Sequence, residues 1–192
     1  MGEKEKIVMV GDYATGKTCM LLRLTQNFFN SEHNQTIGAA FIKHTITLPN
    51  GQRKDISLWD TSGDERFRSV MPVYFRGASS AIIVFDVTSR ESFESLQYWI
   101  NLAKESGSPN INIVIAGAKS DLSKNVSEEE ALQFGRDVGY PVIFCSAYSG
   151  ANIQEVFQKA AETSHVVNND DDGGIDVVGL ADPGKKEKEG CC

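Results

Sequence analysis

A doubly wound α/β fold, a six-stranded and mostly parallel sheet with helices on both faces, is what this 192-residue sequence predicts. Three observations carry that prediction. Apolar strand-like runs alternate with amphipathic helical patterns as far as about residue 165. A glycine-rich loop, Gly11-Asp12-Tyr13-Ala14-Thr15-Gly16-Lys17-Thr18, stands where the first strand hands over to the first helix. Pro49-Asn50-Gly51 joins two alternating runs as an antiparallel hairpin, the one expected break in parallel order.

Strands are expected at about residues 5–10, 40–48, 53–59, 80–86, 111–117 and 141–145. Ser80-Ala81-Ile82-Ile83-Val84-Phe85 and Ile111-Asn112-Ile113-Val114-Ile115-Ala116 are almost unbroken apolar runs, as strands buried on both faces require. Helices are expected at about 17–27, 90–105, 127–138 and 152–165. Three of these have capping signals at their starts: Thr88 with Glu91, Ser127 with Glu130, and Asn152 with Glu155. After about residue 167 the character changes. Asn168-Asn169-Asp170-Asp171-Asp172-Gly173-Gly174 has no apolar periodicity and reads as a linker. The division is therefore a domain over 1–167 and a tail over 168–192. The tail carries a small apolar island, Val177-Val178-Gly179-Leu180, and Cys191-Cys192.

Composition narrows the class. A 41% hydrophobic chain of this length buries one substantial core. A net charge of −7 argues against general nucleic-acid binding, which needs a basic face. No apolar run approaches the ~20 residues of a membrane span. Met1-Gly2-Glu3-Lys4-Glu5-Lys6 lacks the apolar core of a secretory signal, and Lys6 breaks the myristoylation pattern. Cys19 and Cys145 lie in apolar segments as small buried hydrophobes, so the expected compartment is the reducing cytosol.

The loop fits G-x-x-x-x-G-K-[ST]. Its glycines let successive backbone N–H groups turn inward onto a polyphosphate. Lys17 supplies a cation for the β- and γ-phosphates, the Thr18 hydroxyl can ligate Mg²⁺, and the helix presents its positive end to the same anion. Chance produces the pattern in roughly one chain in a hundred of this size. Its place between strand and helix makes an ordinary glycine turn the weaker reading. In a doubly wound sheet ligands bind beyond the carboxyl ends of the strands, where Gly11, Asp60, Lys119 and Ser146 all fall. Asp60 can hold the metal shell through water, and Gly63 can offer its N–H to a γ-phosphate. Thr36, in the loop before the second strand, adds a second hydroxyl for the metal. Asp121 can accept two hydrogen bonds from the edge of guanine that adenine does not offer. Ser146-Ala147 places a backbone N–H where guanine O6 would lie. Taken alone, Asp60, Thr36 and Asp121 would be turn or capping residues; behind the glycine loop the binding reading wins.

Together these segments resemble the small GTPases of the Ras superfamily, and specifically the Rab family, over about residues 5–165 and again at Cys191-Cys192. The wording that carries the resemblance is Gly11-Asp12, Thr36-Ile37-Gly38-Ala39-Ala40-Phe41, Leu58-Trp59-Asp60-Thr61, Glu65-Arg66-Phe67-Arg68-Ser69 and Tyr74-Phe75-Arg76-Gly77-Ala78. Thr36 to Phe41 looks most like the early-endosomal Rabs. The resemblance implies a P-loop G domain that binds GTP or GDP with Mg²⁺ and hydrolyses GTP. It implies nucleotide contacts at Gly11, at Tyr13, Ala14, Thr15, Gly16, Lys17, Thr18 and Cys19, and at Phe29, Thr36, Gly63, Lys119, Asp121, Ser146 and Ala147. Metal ligation falls to Thr18, Thr36 and Asp60, and the chemistry to Lys17, Thr36, Gly63 and Asp64. Ile37, Phe41, Trp59 and Tyr74 match the effector surface, with core packing the plainer reading of the aromatics. Residues 61–76 would form the second switch. Cys191 and Cys192 would carry geranylgeranyl groups, two of which anchor stably where one does not. The implied partners are an exchange factor, a GTPase-activating protein, escort and dissociation-inhibitor proteins that grip residues 177–180, and effectors. The implied site is the cytoplasmic face of endosomal or other vesicle membranes, with a cytosolic pool.

Four positions depart from the family pattern. Asp64 stands where a Gln orients the attacking water; shorter and anionic, it predicts slow intrinsic hydrolysis. An activating protein that brings its own Arg and Gln would still work on it. Tyr13 replaces a small residue and crowds the γ-phosphate side. Ala118 replaces the Asn of N-K-x-D, which predicts weaker guanine affinity with base preference kept by Asp121. Tyr148 replaces a Lys, with the smallest expected consequence. The reading is a divergent, lipid-anchored Rab-like switch. A pseudo-GTPase scaffold that recruits partners without cycling is the alternative, and a P-loop small-molecule kinase a third that lacks an Arg-rich lid.

Overall fold

The computed structural model describes residues 5–30, 36 and 38–162. Six strands build one sheet: β1 Glu5–Val10, β2 Ala39–Thr47, β3 Arg53–Thr61, β4 Ser80–Asp86, β5 Asn112–Ala118 and β6 Val142–Phe144. Their order is β2-β3-β1-β4-β5-β6, with β2 antiparallel to β3 and every other pair parallel. The α/β expectation therefore holds, and the antiparallel pair is the one that the hairpin foretold. Leu48 N–H donates to the Gln52 carbonyl at 2.8 Å and Gly51, at φ 82°, closes the turn.

Helices cover both faces because the strands alternate side chains at period two. Ile7 and Met9 point into a core completed by α1 (Lys17–Gln26) and α6 (Ile153–Glu162). Val8 and Val10 point the other way, toward α2 (Met71–Phe75), α3 (Arg90–Glu94), α4 (Leu96–Ser106) and α5 (Glu128–Val138). The central strands β4 and β5 are buried almost throughout, as their continuous apolar runs require.

Four details differ from expectation. The helix expected over 90–105 breaks at Ser95 into α3 and α4. Ser89, not Thr88, caps α3 by accepting from Ser92 N–H, because Asp86 Oδ1 already holds both the N–H and the hydroxyl of Thr88 at 2.8 Å. The Asn152 side chain donates to the Phe144 carbonyl at 2.8 Å instead of capping α6. Residues 65–75, for which no helix was expected, form a 3₁₀ turn over Glu65–Val70 that runs into α2. Ser127 caps α5 as expected, through Glu130 N–H at 3.1 Å. Residues 163–192, with the linker, the apolar island and Cys191-Cys192, lie outside the described residues, as does Ile37. Among the described residues no helix is long and apolar enough to cross a membrane.

Candidate nucleotide site

The glycine loop is shaped by contacts that no side chain could share. Gly11 has φ 141°, and a Cβ there would fall 2.1 Å from the Val84 carbonyl oxygen of β4. Gly16 has φ 99° and starts α1. Beneath the loop Lys17 is buried, and its Nζ donates to the carbonyls of Gly11 (2.9 Å) and Asp12 (2.7 Å). Burial lowers its pKa to about 8, against the pull of Asp60 and Asp12. Two backbone carbonyls thus fix the Lys17 ammonium under the loop. Thr15, also buried, braces the turn by donating to the Asp12 carbonyl at 3.1 Å and is not on the cavity wall.

Next to Lys17 three oxygen-bearing side chains converge. The Thr18 hydroxyl donates to Asp60 Oδ2 at 2.6 Å and lies 2.8 Å from the Thr36 hydroxyl. Asp60 is fully buried, and its other oxygen, Oδ1, finds no hydrogen-bond partner. Burial raises its pKa to about 6, against opposing pulls from Thr18, Lys17 and Thr36. A buried carboxylate oxygen without a donor, beside two hydroxyls, is a hard-oxygen set that fits Mg²⁺. Thr18, Thr36 and Asp60, brought from α1, a loop and β3, thus meet as the sequence proposed.

Gly63 follows β3 where the chain presses on the loop: a Cβ there would stand 2.3 Å from the Asp12 carbonyl oxygen and 2.5 Å from Tyr13 N. Asp64 comes next and turns elsewhere. It caps the 3₁₀ turn through Arg66 N–H at 2.9 Å and takes the Arg66 guanidinium in a two-pronged pair with a closest approach of 2.6 Å. Its carboxylate is not on the cavity wall. Asp12 links the loop to this region, since its Oδ1 accepts from Trp99 Nε1 at 2.9 Å and pairs with Arg68 at 3.6 Å. Arg68 lies over the Tyr98 and Trp99 rings at 5.1 and 5.8 Å.

At the far end the cavity walls change to rings and loops. The Asp121 carboxylate accepts from the Ser146 hydroxyl at 2.5 Å, which fixes its direction. Ser146 itself does not line the cavity, and its N–H is spent on the Ala151 carbonyl, so Ala147 N–H is the remaining backbone donor of the pair. Lys119, at φ 61°, pairs with Asp86 at 2.6 Å. Arg23 of α1 grips the next loop, donating to the carbonyls of Ala147 (2.6 Å) and Tyr148 (2.7 Å). Phe29 and Tyr148 meet edge to face, 5.5 Å apart at 85°. Ala118 ends buried, with only a methyl group to offer.

All of this surrounds one cavity of about 540 Å³. Of the proposed residues, Tyr13, Ala14, Gly16, Lys17, Thr18, Cys19, Phe29, Thr36, Gly63, Lys119, Asp121 and Ala147 line it. Gly11, Thr15, Asp60 and Ser146 support it from behind, and Asp64 stands aside. Cys19 is half-exposed on its wall instead of buried; Cys145 is buried, with its pKa pushed up to about 12. Sequence reasoning missed Met20, Thr61, Ser62 and Leu122 on the wall, and the Arg23 grip; Arg23 lacks any local signal because its acceptors lie more than a hundred residues on. Outside the cavity Phe41, Trp59 and Tyr74 form a run of rings 5.2 and 6.1 Å apart. All three are partly buried, and Trp59 and Tyr74 pack against the core on that face of the sheet.

Comparison with known proteins agrees with this arrangement. The model of the Ras family matches residues 6–165. The chain is 42% identical over 158 residues to the Ras-related protein Rab-5B of Plasmodium falciparum (isolate 3D7), which takes in 82% of this chain and 76% of the relative. It is 38% identical over 173 residues to the Ras-related protein Rab-4B of Homo sapiens, across 89% and 80% of the two chains. To the Ras-related protein Rab-31 of Homo sapiens it is 34% identical over 189 residues, across 97% and 96%.

Proposed function

Because this chain belongs to the Ras family, as a Rab small GTPase of early-endosomal type, we propose that it is a guanine-nucleotide switch with slow intrinsic hydrolysis. The observation that carries the proposal is that one cavity has both halves of the required chemistry. Lys17, Thr18, Thr36 and Asp60 stand at one end, and Asp121 and Ala147 N–H at the other.

Lys17 holds the β- and γ-phosphates, and the loop N–H groups orient them. Thr18 and Thr36 would hold Mg²⁺ directly, and Asp60 through water. Held there, Mg²⁺ would supply positive charge against the phosphoryl oxygens. Gly63 N–H offers a γ-phosphate contact that draws the second switch, residues 61–76, onto the ligand; hydrolysis releases it. Asp121 selects guanine. Asp64 keeps its carboxylate on Arg66, so no neutral amide orients the attacking water and turnover is slow. The ordered form presents Phe41, Trp59 and Tyr74, with Ile37, to effectors. Cys191 and Cys192 carry geranylgeranyl groups that hold the 1–167 domain to the cytoplasmic face of endosomal membranes through the 168–192 tail.

The experiment is a single turnover. The protein is loaded with labelled GTP without Mg²⁺, Mg²⁺ is added, and hydrolysis is followed in excess ATP. GTP is expected to be retained and hydrolysed slowly. Failure to retain it supports the second reading, a pseudo-GTPase scaffold, for which the Asp64–Arg66 pair and Ala118 speak. Effector binding that ignores the bound nucleotide would decide for the scaffold.

A further inference from the structure

We propose that Arg68 is a latch: it pins the second switch, from Phe67 onward, to the phosphate loop and α4, so that loss of the γ-phosphate frees residues 62–66 and leaves the rest docked. The inference rests on the nucleotide reading above and narrows it, dividing residues 61–76 into a part that answers to the ligand and a part that does not.

Outside the cavity, three contacts meet on one guanidinium. Arg68 lies over the Tyr98 ring at 5.1 Å and the Trp99 ring at 5.8 Å, both on α4, and its Nη2 is 3.6 Å from Asp12 Oδ1. That carboxylate is itself held: Trp99, only 1% exposed, donates its indole N–H to the same Oδ1 at 2.9 Å. Each contact is modest at a half-exposed site, but all of them restrain the same group. Asp12 is the anchor at the other end. Its carbonyl accepts from Lys17 Nζ at 2.7 Å, so the latch closes on the loop that would hold the phosphates.

The chain on either side of Arg68 is held differently. On the C-terminal side Met71 and Phe75 are fully buried, and Phe67 and Tyr74 pack against the same core. On the N-terminal side Glu65 and Arg66 are exposed, and the Arg66 guanidinium turns back onto Asp64, two residues away. No residue of the 3₁₀ turn Glu65–Val70 is buried, so its order depends on what grips its ends. Gly63 would be gripped through the γ-phosphate, a contact that hydrolysis removes. Arg68 is gripped by Asp12 and α4, which hydrolysis leaves in place. Burial of Met71 and Phe75 by itself would keep α2 docked; Arg68 moves the boundary one turn closer to the ligand.

Trypsin reads that boundary, because it cuts after Arg66 and after Arg68. The full chain, loaded with GDP or with a non-hydrolysable GTP analogue, is cut under single-hit conditions and the new ends are identified by mass. GDP in place of the analogue should speed the cut after Arg66 about ten-fold and leave the cut after Arg68 slow. Tyr98→Ala takes one ring from the guanidinium and should speed the cut after Arg68 about three-fold with either nucleotide, with the cut after Arg66 as in the wild type. Tyr98→Phe keeps the ring and should keep the protection. Asp12→Asn leaves an oxygen for the Trp99 N–H but no charge for Arg68; combined with Tyr98→Ala it should bring the gain to about ten-fold. A cut after Arg68 that opens with GDP as readily as the cut after Arg66 overturns the latch. So does a Tyr98→Ala protein that is cut there no faster than the wild type, or one in which both cuts quicken together, which marks general loosening. A wild type that retains neither nucleotide overturns the nucleotide reading. In that protein, equal cutting after Arg68 in Tyr98→Ala and Tyr98→Phe overturns the latch too, whereas faster cutting in Tyr98→Ala alone upholds it.

Discussion

The two ends of the cavity solve different problems. At the phosphate end the groups are buried and tied to one another. Lys17 is gripped by two carbonyls, Thr18 by Asp60, and Gly63 is pressed within a Cβ's width of the loop. At the base end the walls are half-open rings and a loop clasped by Arg23, and two family positions are replaced, by Ala118 and Tyr148. The difference follows from the ligand. Charge in a water-poor site needs fixed donors, and a misplaced or missing one leaves an unpaired charge. A base also offers flat apolar surface, which any ring or stem can cover. Tyr13 and Asp64 depart from the family pattern near the phosphate end as Ala118 and Tyr148 do at the base end; what the phosphate end keeps is its buried set of Lys17, Thr18 and Asp60.

The comparison breaks first, and hardest, at Lys17. Lys17→Ala removes the buried cation and frees the Gly11 and Asp12 carbonyls. Loss of one partner of a buried charge pair costs about 3–5 kcal/mol, which is hundreds- to thousands-fold in GTP affinity. Equilibrium titration measures it, and a loss under ten-fold would mean that the loop N–H groups carry the phosphates alone. Asp121→Ala is the matching cut at the base end. It removes a charge-assisted pair of hydrogen bonds worth about 2–3 kcal/mol. Competition between GTP and ATP should show guanine preference falling by that amount, while Mg²⁺-dependent affinity for the phosphates persists.

The two ends also differed in how far the sequence revealed them. The phosphate loop is a contiguous motif between a strand and a helix, so spacing alone exposed Gly11 to Thr18. Asp60 and Thr36 needed that anchor before they meant anything. The sheet was legible because β4 and β5 are nearly continuous apolar runs. The helical segment over 65–75 was not, since a 3₁₀ turn and five residues of α2 are too short to display a 3.6-residue period. The base end hides for another reason: Arg23 reaches carbonyls 124 and 125 residues away, and backbone acceptors leave no trace in residue identity. Asp64 was legible as a substitution, but its partner was not, because only the folded turn brings the Arg66 guanidinium round to it.

That pair gives the next test. Asp64→Gln removes the charge, lengthens the side chain by one methylene and releases Arg66, which is largely exposed. The exposed pair itself is worth little. The chemistry should gain more: with a neutral amide free to orient water, single-turnover hydrolysis is expected to speed about ten-fold, about 1.4 kcal/mol off the barrier. GTP affinity should hardly move, because the Asp64 carboxylate is not on the cavity wall. An unchanged rate would show that the brake lies elsewhere, with Tyr13 the neighbour to replace.

The smallest effect sharpens the comparison most. Ala118→Asn returns a donor and an acceptor to the end of β5, beside Gly16, where a Cβ on the glycine would lie 3.8 Å from that of Ala118. The new amide has room toward the cavity, which Ala118 lines. One net hydrogen bond contributes about 1 kcal/mol, so GDP release should slow about five-fold. If the base end works by interchangeable contacts, the same substitution made in Phe29→Ala, which strips a ring from the cavity wall, should slow release by at least as much. If instead Ala118→Asn helps only when Phe29 is present, the two contacts cooperate through the bound base, and the base end is as tightly coupled as the phosphate end.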